Sequence, residues 1–297
     1  MDYALSTMWA VKRFADLEPF FKEGEDAGFT RFELNHGIDS SMLKGLEGKT
    51  ITSVHEPCPA DVPASVLKEN DWLVSSLDEG KRRLGVDAIL KSIDLAVSVG
   101  ASTVVVHPGR VDSDFDGEER MRELFDSGGR AGNEYAGLML RNREARERAA
   151  PANFRQVSRS IGELASYAGA RGIVLGLENR YHFHEFPSPD ELVKLLAIGP
   201  PGTVGFWYDA GHAETLSRLG FFPHREWLDR FSDRIVGAHF HDLSGLEDHR
   251  FAGNGTQPWA FIKGRIPASA LRTCEFRNTC TGEEIERGRA FLEELGV

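Results

Sequence analysis

Eight short β-type runs alternate with helical stretches from one end of this chain to the other. The runs cover residues 3–9, 30–34, 50–55, 103–107, 173–178, 204–208, 235–240 and 271–276. Several are continuously apolar, as expected of strands covered on both faces. The stretches between them show helical periodicity. Val86, Ile89, Leu90, Ile93, Ala96 and Val97 share one face of a helix over 86–99, which Gly100 ends. Phe154, Val157, Ile161, Leu164 and Ala168 do the same over 154–168. Ser188-Pro189-Asp190-Glu191 reads as a capping box with proline in the first helical position. A last helix is expected over 283–295.

Eight β/α alternations in 297 residues predict an α/β fold, a single (β/α)8 barrel over residues 1–297. A doubly wound sheet would usually place a glycine-rich phosphate loop after its first strand. Ser6-Thr7-Met8-Trp9 is no such loop. One irregular segment, residues 110–135, is rich in Asp, Glu and Gly and follows the fourth strand. It reads as an acidic insertion leaving from the face where barrel active sites sit, and hence as a lid.

The chemistry is concentrated at the strand ends. They read Val54-His55, Val106-His107, Leu177-Glu178, Tyr208-Asp209, Ala238-His239-Phe240-His241-Asp242 and Cys274-Glu275. One histidine or glutamate at a strand end has ordinary structural explanations. In a barrel, six such ends converge on one face. Carboxylates packed there repel and shift upward in pKa unless a cation lies between them. A mixed carboxylate and imidazole set suits divalent Mn, Co, Zn or Mg. Only 3 cysteines occur, none in a Cys-x-x-Cys spacing, so neither a thiolate metal site nor a disulfide framework is indicated.

These residues carry a resemblance. Leu-Glu178-Asn, Asp209-Ala-Gly-His212, His239-Phe-His-Asp242 and Glu275 resemble the xylose-isomerase-like barrel superfamily, which holds sugar isomerases, epimerases and endonuclease IV. The resemblance implies that Glu178, Asp209, His239 and Glu275 hold one divalent ion. His239 is preferred to His241 because the family pattern is His, two residues, Asp. His55, His107, His212 and His249 fall where endonuclease IV has further zinc ligands, and Glu247 stands where that enzyme has an aspartate. The same set could therefore carry two or three zinc ions, or touch substrate.

Two activities follow from the resemblance. In an isomerase or epimerase of a sugar or sugar phosphate, one metal ion stabilises an enediolate while Glu178 and Glu275 move the proton. In a zinc phosphodiesterase acting on abasic DNA, two or three ions activate water. A non-catalytic, metal-containing sugar-binding barrel is the third reading. The net charge of -11 and the lack of Lys/Arg-rich segments over 10–16, 36–48 and 56–73 disfavour nucleic acid. Substrate-binding candidates are Arg110, Arg180, His184, His241 and Arg277.

Other positions have more ordinary expectations. His182 and Glu185 follow the fifth strand and are solvated or near substrate. His36 and His224 are expected at the surface, Cys274 in packing, and Trp9, Trp207 and Trp259 in the core. No apolar run approaches a membrane span, and no signal peptide is visible, so a cytoplasmic location is expected. A homo-oligomer is compatible with all of this.

Overall fold

A computed structural model describes residues 2–297. Its strands are β1 (Ala4–Ser6), β2 (Arg31–Leu34), β3 (Thr50–His55), β4 (Thr103–Val106), β5 (Val174–Glu178), β6 (Val204–Asp209), β7 (Ile235–Phe240), β8 (Asp242–Ser244), β9 (Glu247–Arg250) and β10 (Leu271–Cys274). All but β8 and β9 close a barrel in chain order, β10 returning to pair with β1. Every barrel pairing is parallel. The chain is a (β/α)8 barrel, and all eight expected runs supply a strand.

Several boundaries differ from expectation; the helix expected over 86–99, for example, starts at Glu79, where the Asp78 side chain caps it. The first run stops at Ser6 because Thr7–Ala10 coils into a 3-10 turn, with the Ser6 hydroxyl accepting from the Met8 N–H. The helix expected over 154–168 runs from Asn133 to Gly169, through Pro151. The antiparallel hairpin of β8 and β9 was not anticipated. Its charged residues carry no apolar alternation, which is the signal a strand needs.

Alternation along each strand divides the barrel interior from the helix-facing side. On β6, Phe206 points outward to Trp227 and Phe231 of the surrounding layer. Its neighbour Trp207 points inward and fills the barrel. A Cβ on Gly237 of β7 would lie 2.1 Å from the Trp207 ring, and one on Gly176 of β5 would lie 3.0 Å away. The indole therefore rests across two glycine notches. Its ring centroid is 5.1 Å from that of His239, directly beneath the strand-end residues. Trp9, Trp207 and Trp259 are all buried, as expected.

Residues 110–135 fold into a helix (Glu118–Asp126) and a 3-10 turn (Gly129–Ala131) ahead of the long helix. They build a small core of their own. Met121 and Tyr135 pack with Phe183, Leu216, Leu219, Phe221 and Leu246. The Tyr135 hydroxyl donates to the Leu219 carbonyl at 2.7 Å. Burying such side chains contributes about 1.5–3 kcal/mol each, which fixes the segment against the loops after β5 and β6. Among the described residues, no helix is long and apolar enough to cross a membrane.

Candidate metal centre

The strand ends converge as the pattern requires. Glu178, Asp209, His239 and Glu275 come from β5, β6, β7 and the residue after β10, and all are buried. One ligand atom from each lies within 4.8 Å of all the others. The His239 ring organises them. Its Nδ1 lies 2.8 Å from Glu178 Oε1, 3.2 Å from Glu275 Oε2 and 3.6 Å from Asp209 Oδ2. Its Nε2 faces the Glu33 carboxylate at 3.0 and 3.1 Å. Glu33 is itself held by the Ser53 hydroxyl at 2.8 Å. One imidazole nitrogen thus points at three carboxylates while a fourth carboxylate fixes the ring from behind, the arrangement of an oriented metal-ligating histidine.

Asp209 is fixed from several sides. It caps the helix Ala210–Leu219, its Oδ1 accepting from the His212 N–H at 2.7 Å. Asn179 pairs with its backbone in both directions at 2.8 Å. His241 Nε2 lies 3.1 Å from both carboxylate oxygens. Because His241 Nδ1 accepts the His249 N–H, the ring proton sits on Nε2 and points at Asp209. Gly211 permits this approach, since a Cβ there would lie 2.0 Å from the His241 ring. On the other side Asn35 donates to Glu275 Oε1 at 3.0 Å.

Charge explains what the cluster wants. Four carboxylates, Glu33, Glu178, Asp209 and Glu275, are out of water here. Burial alone would strip the proton from His239, but Glu275 and Glu33 outweigh it and hold that imidazole well above its usual pKa. Burial likewise opposes ionisation of Glu275 and Asp209. The imidazoles whose pKa is raised overcome it, His239 beside Glu275 and His241 beside Asp209, so both carboxylates stay well below the usual range. Ionised carboxylates this close need a cation, and the mixed oxygen and nitrogen donor set fits a divalent one.

Above this floor lies a cavity of about 310 Å³, large enough for a small molecule. Its rim is rich in imidazole. His55 Nε2 and His107 Nε2 are 2.6 Å apart, and the His36 ring lies 4.8 Å from that of His55. Across the mouth, Asp248 Oδ2 lies 3.8 Å from His212 Nε2 and 3.6 Å from His249 Nε2. His249 holds φ at 54°, a strained value for a side chain of this size, and its ring stacks on His241 at 4.2 Å. Four of these rings, those of His36, His55, His107 and His212, are held neutral. Burial lowers His36, His55 and His107 below the usual pKa, and lowers His212 to about 4. The Arg180 guanidinium adds to the effect on His107 and bonds the outer oxygen of Glu178. That oxygen is also 3.1 Å from His107 Nε2.

Several expected roles are corrected. Glu247 is turned to solvent and paired with Arg277 and Arg250, so it faces no metal position. Asp248, the next residue of β9, takes its place at the mouth, and the left-handed backbone of His249 brings that ring to the same side. Arg277, engaged by Glu247, does not line the mouth. His184 turns away, with Nε2 3.2 Å from Asn142 Oδ1 of the long helix. His241 is fully buried beside Asp209 and orients that carboxylate instead of meeting substrate. Arg110 donates to the Lys68 carbonyl and lines a neighbouring pocket. His36 is at the mouth, not the surface. His224 is buried between Tyr208 and Glu214 on the outer side of β6.

No residue of 110–135 lines the mouth. The segment acts on it indirectly. Buried Glu118 accepts from the Phe183 N–H at 2.8 Å and lies 3.0 Å from His182 Nδ1, bracing the loop that carries Arg180, His182 and Glu185. The residues missed by sequence reasoning are Glu33, Asn35, Lys68 and Asp248. Glu33 lay at the end of β2 and obeyed the strand-end rule. Lys68 and Asp248 lie outside the barrel strands and gave no periodic signal.

A family model for the xylose isomerase-like TIM barrel matches residues 21–295, and the chain belongs to that family. The uncharacterized protein y4fM of Sinorhizobium fredii is 23% identical over 312 residues, covering 92% of this chain and 86% of its own. A solved D-tagatose 3-epimerase-like protein superposes with a TM-score of 0.67 at 18% identity, over 99% of this chain and 97% of its own. The TTHB071 protein of Thermus thermophilus, soaked with ZnCl2, gives 0.62 at 21% identity, over 99% and 98%. The likeness to both solved structures is one of fold.

Proposed function

We propose that this chain is a divalent-metal-dependent isomerase or epimerase acting on a sugar or sugar phosphate. The observation that carries this reading is the paired placement of Glu178 and Glu275. Each turns one oxygen to His239 Nδ1, at 2.8 and 3.2 Å, and keeps the other for a different neighbour. Two carboxylates on either side of one substrate carbon can remove a proton and return it at the neighbouring carbon or on the opposite face. The similarity to a D-tagatose 3-epimerase-like protein supports the same chemistry.

Glu178, Asp209, His239 and Glu275 would hold one ion of Mn, Co, Mg or Zn. Such an ion, when bound, supplies Lewis-acid polarisation of a carbonyl and its neighbouring hydroxyl. The chain does the remaining work. Glu33 and His241 hold His239 and Asp209 in place. Asn35 steadies Glu275. His55, His107 and His212, neutral at the rim, orient hydroxyls, and Arg180 and Lys68 supply donors to a phosphate or a ring oxygen.

The zinc phosphodiesterase remains the second reading, because His55, His107 and Glu178 converge and so do His212, Asp248 and His249. Arg180 argues against it. A guanidinium on the outer oxygen of Glu178 occupies the space, and the charge, that a second cation would need. The open cavity argues against a plugged, non-catalytic barrel.

The test is Glu275→Gln in metal-loaded protein, read by deuterium exchange at the carbon next to a ketose carbonyl. With the metal kept saturating and its occupancy checked, exchange should fall by about 10²–10⁴-fold. Full exchange in that variant overturns the two-glutamate mechanism. Cleavage of abasic duplex DNA by zinc-loaded protein would favour the phosphodiesterase instead.

A further inference from the structure

The mouth does not end at its imidazole rim. Lys68, His107 and Glu185 line both the mouth and a second, narrower pocket beside it. The far wall of that pocket is apolar, built by Leu67, Trp72, Leu73, Val74, Ala88 and Ile89. Gly85 lets the helix Glu79–Ser98 close the back, since a Cβ there would lie 2.6 Å from the Leu73 backbone. The space is about 40 Å³, room for one or two carbon atoms and not for a ring.

The polar groups are confined to its throat, and each has a partner there. Glu56 Oε1 accepts the His107 N–H at 2.8 Å. Lys68 Nζ is paired with Glu185 Oε1 at 3.1 Å. Arg110 Nη2 donates to the Lys68 carbonyl at 3.1 Å. A hydroxyl pushed beyond them, against the apolar wall of Leu67, Trp72, Leu73, Val74, Ala88 and Ile89, would give up its water and find no partner, whereas an alkyl group would lose nothing. A water there is equally poorly served, because it needs two to four polar neighbours. The pocket is one side chain from the metal centre, His107 Nε2 lying 3.1 Å from Glu178 Oε2.

We propose that this pocket takes a compact alkyl group of the substrate, so that the sugar processed is a deoxy sugar ending in a methyl group, not a fully hydroxylated one. This rests on the isomerase or epimerase reading and names its substrate class. The sugar's hydroxycarbonyl end faces Glu178 and Glu275, and its methyl end lies against Leu67, Trp72 and Ile89.

Matched pairs that differ only in the terminal hydroxyl test it: L-rhamnulose against L-fructose and L-fuculose against L-tagatose, with their D-enantiomers. Metal-loaded protein is assayed for deuterium exchange next to the carbonyl, and the same sugars are titrated calorimetrically. The deoxy member of at least one pair should show kcat/KM higher by about 10-fold or more. Ala88→Phe should fill the pocket and erase that preference by lowering kcat/KM for the deoxy sugar. Leu67→Thr, which adds a hydroxyl to the wall, should weaken the preference in the same direction. Retained metal content and an unchanged melting temperature show that the variants are folded. Exchange with equal kcat/KM across every pair, or a preference for the hydroxylated member, overturns the pocket assignment and leaves the reaction standing. Tighter calorimetric binding of the deoxy member without exchange of any sugar overturns the reaction and leaves the pocket standing. Neither binding nor exchange overturns both.

Discussion

His239 and His55 lie with ring centroids 5.2 Å apart, and their surroundings drive them in opposite directions. His239 sits on the floor among Glu33, Glu178, Asp209 and Glu275, which hold its pKa well above the usual value. His55 belongs to the rim, beside His36 and His107, where burial prevails and lowers it. The floor collects negative charge and calls for a cation. The rim is kept neutral and donates or accepts hydrogen bonds. The difference teaches that an imidazole at a barrel strand end has no fixed chemistry. The count of carboxylates within reach decides between ligand and hydrogen-bonding roles.

Each prediction either breaks this division or sharpens it. The largest effect belongs to the floor. Asp209→Ala should reduce bound metal to near zero by elemental analysis and cut turnover on the order of a thousandfold or more. Retention of one tightly bound ion would show that the rim, not the floor, holds the metal. Glu33→Gln leaves the four ligands untouched and removes only the carboxylate behind His239. Metal affinity, measured by chelator competition, should fall about 10–100-fold. An unchanged affinity would remove Glu33 from the centre.

Arg180→Met tests the boundary itself. The wild-type chain should bind one zinc, and the variant should gain a second at His55, His107 and Glu178. Two or three zinc ions in the wild type would dissolve the distinction between floor and rim and favour the phosphodiesterase. The smallest effect is in stability. Glu56 is buried beneath the rim and its carboxyl is pushed up to about 7 by burial, against 4.5 in the open chain. The folded state therefore keeps a proton that the unfolded chain releases, so stability falls as pH rises from 4.5 through 7. Glu56→Gln should stabilise the protein by up to about 3 kcal/mol above pH 7 and by much less at pH 5, read from denaturation midpoints. An equal gain at both pH values would mean that Glu56 is not the titrating group.

Much of the floor was legible in the chain. Glu178, Asp209, His239 and Glu275 each close an apolar run or lie just beyond it, and the family resemblance singled them out, since alternation could not separate His239 from His241. Glu33 obeyed the same rule on β2, and only its neighbours reveal what it does. The rim was harder to read. His36 lies in a turn, Lys68 on the short helix Ala64–Glu69 and Asp248 on the charged strand β9, and none of these shows an apolar period in the sequence. The exchange of Glu247 for Asp248 shows how little is needed, since one step along β9 moves a carboxylate from solvent to the mouth.

Local patterns by themselves determined eight strands, their order in a parallel barrel, and the acidic and imidazole residues carried to one end. They could do so because strand alternation and helix periodicity are properties of consecutive residues. Only the tertiary structure decided that Glu33 braces His239, that Arg180 bonds Glu178, and that an apolar pocket opens behind His107. Each of those joins residues far apart in the chain through loop conformations, and their distances are set only once the barrel has closed.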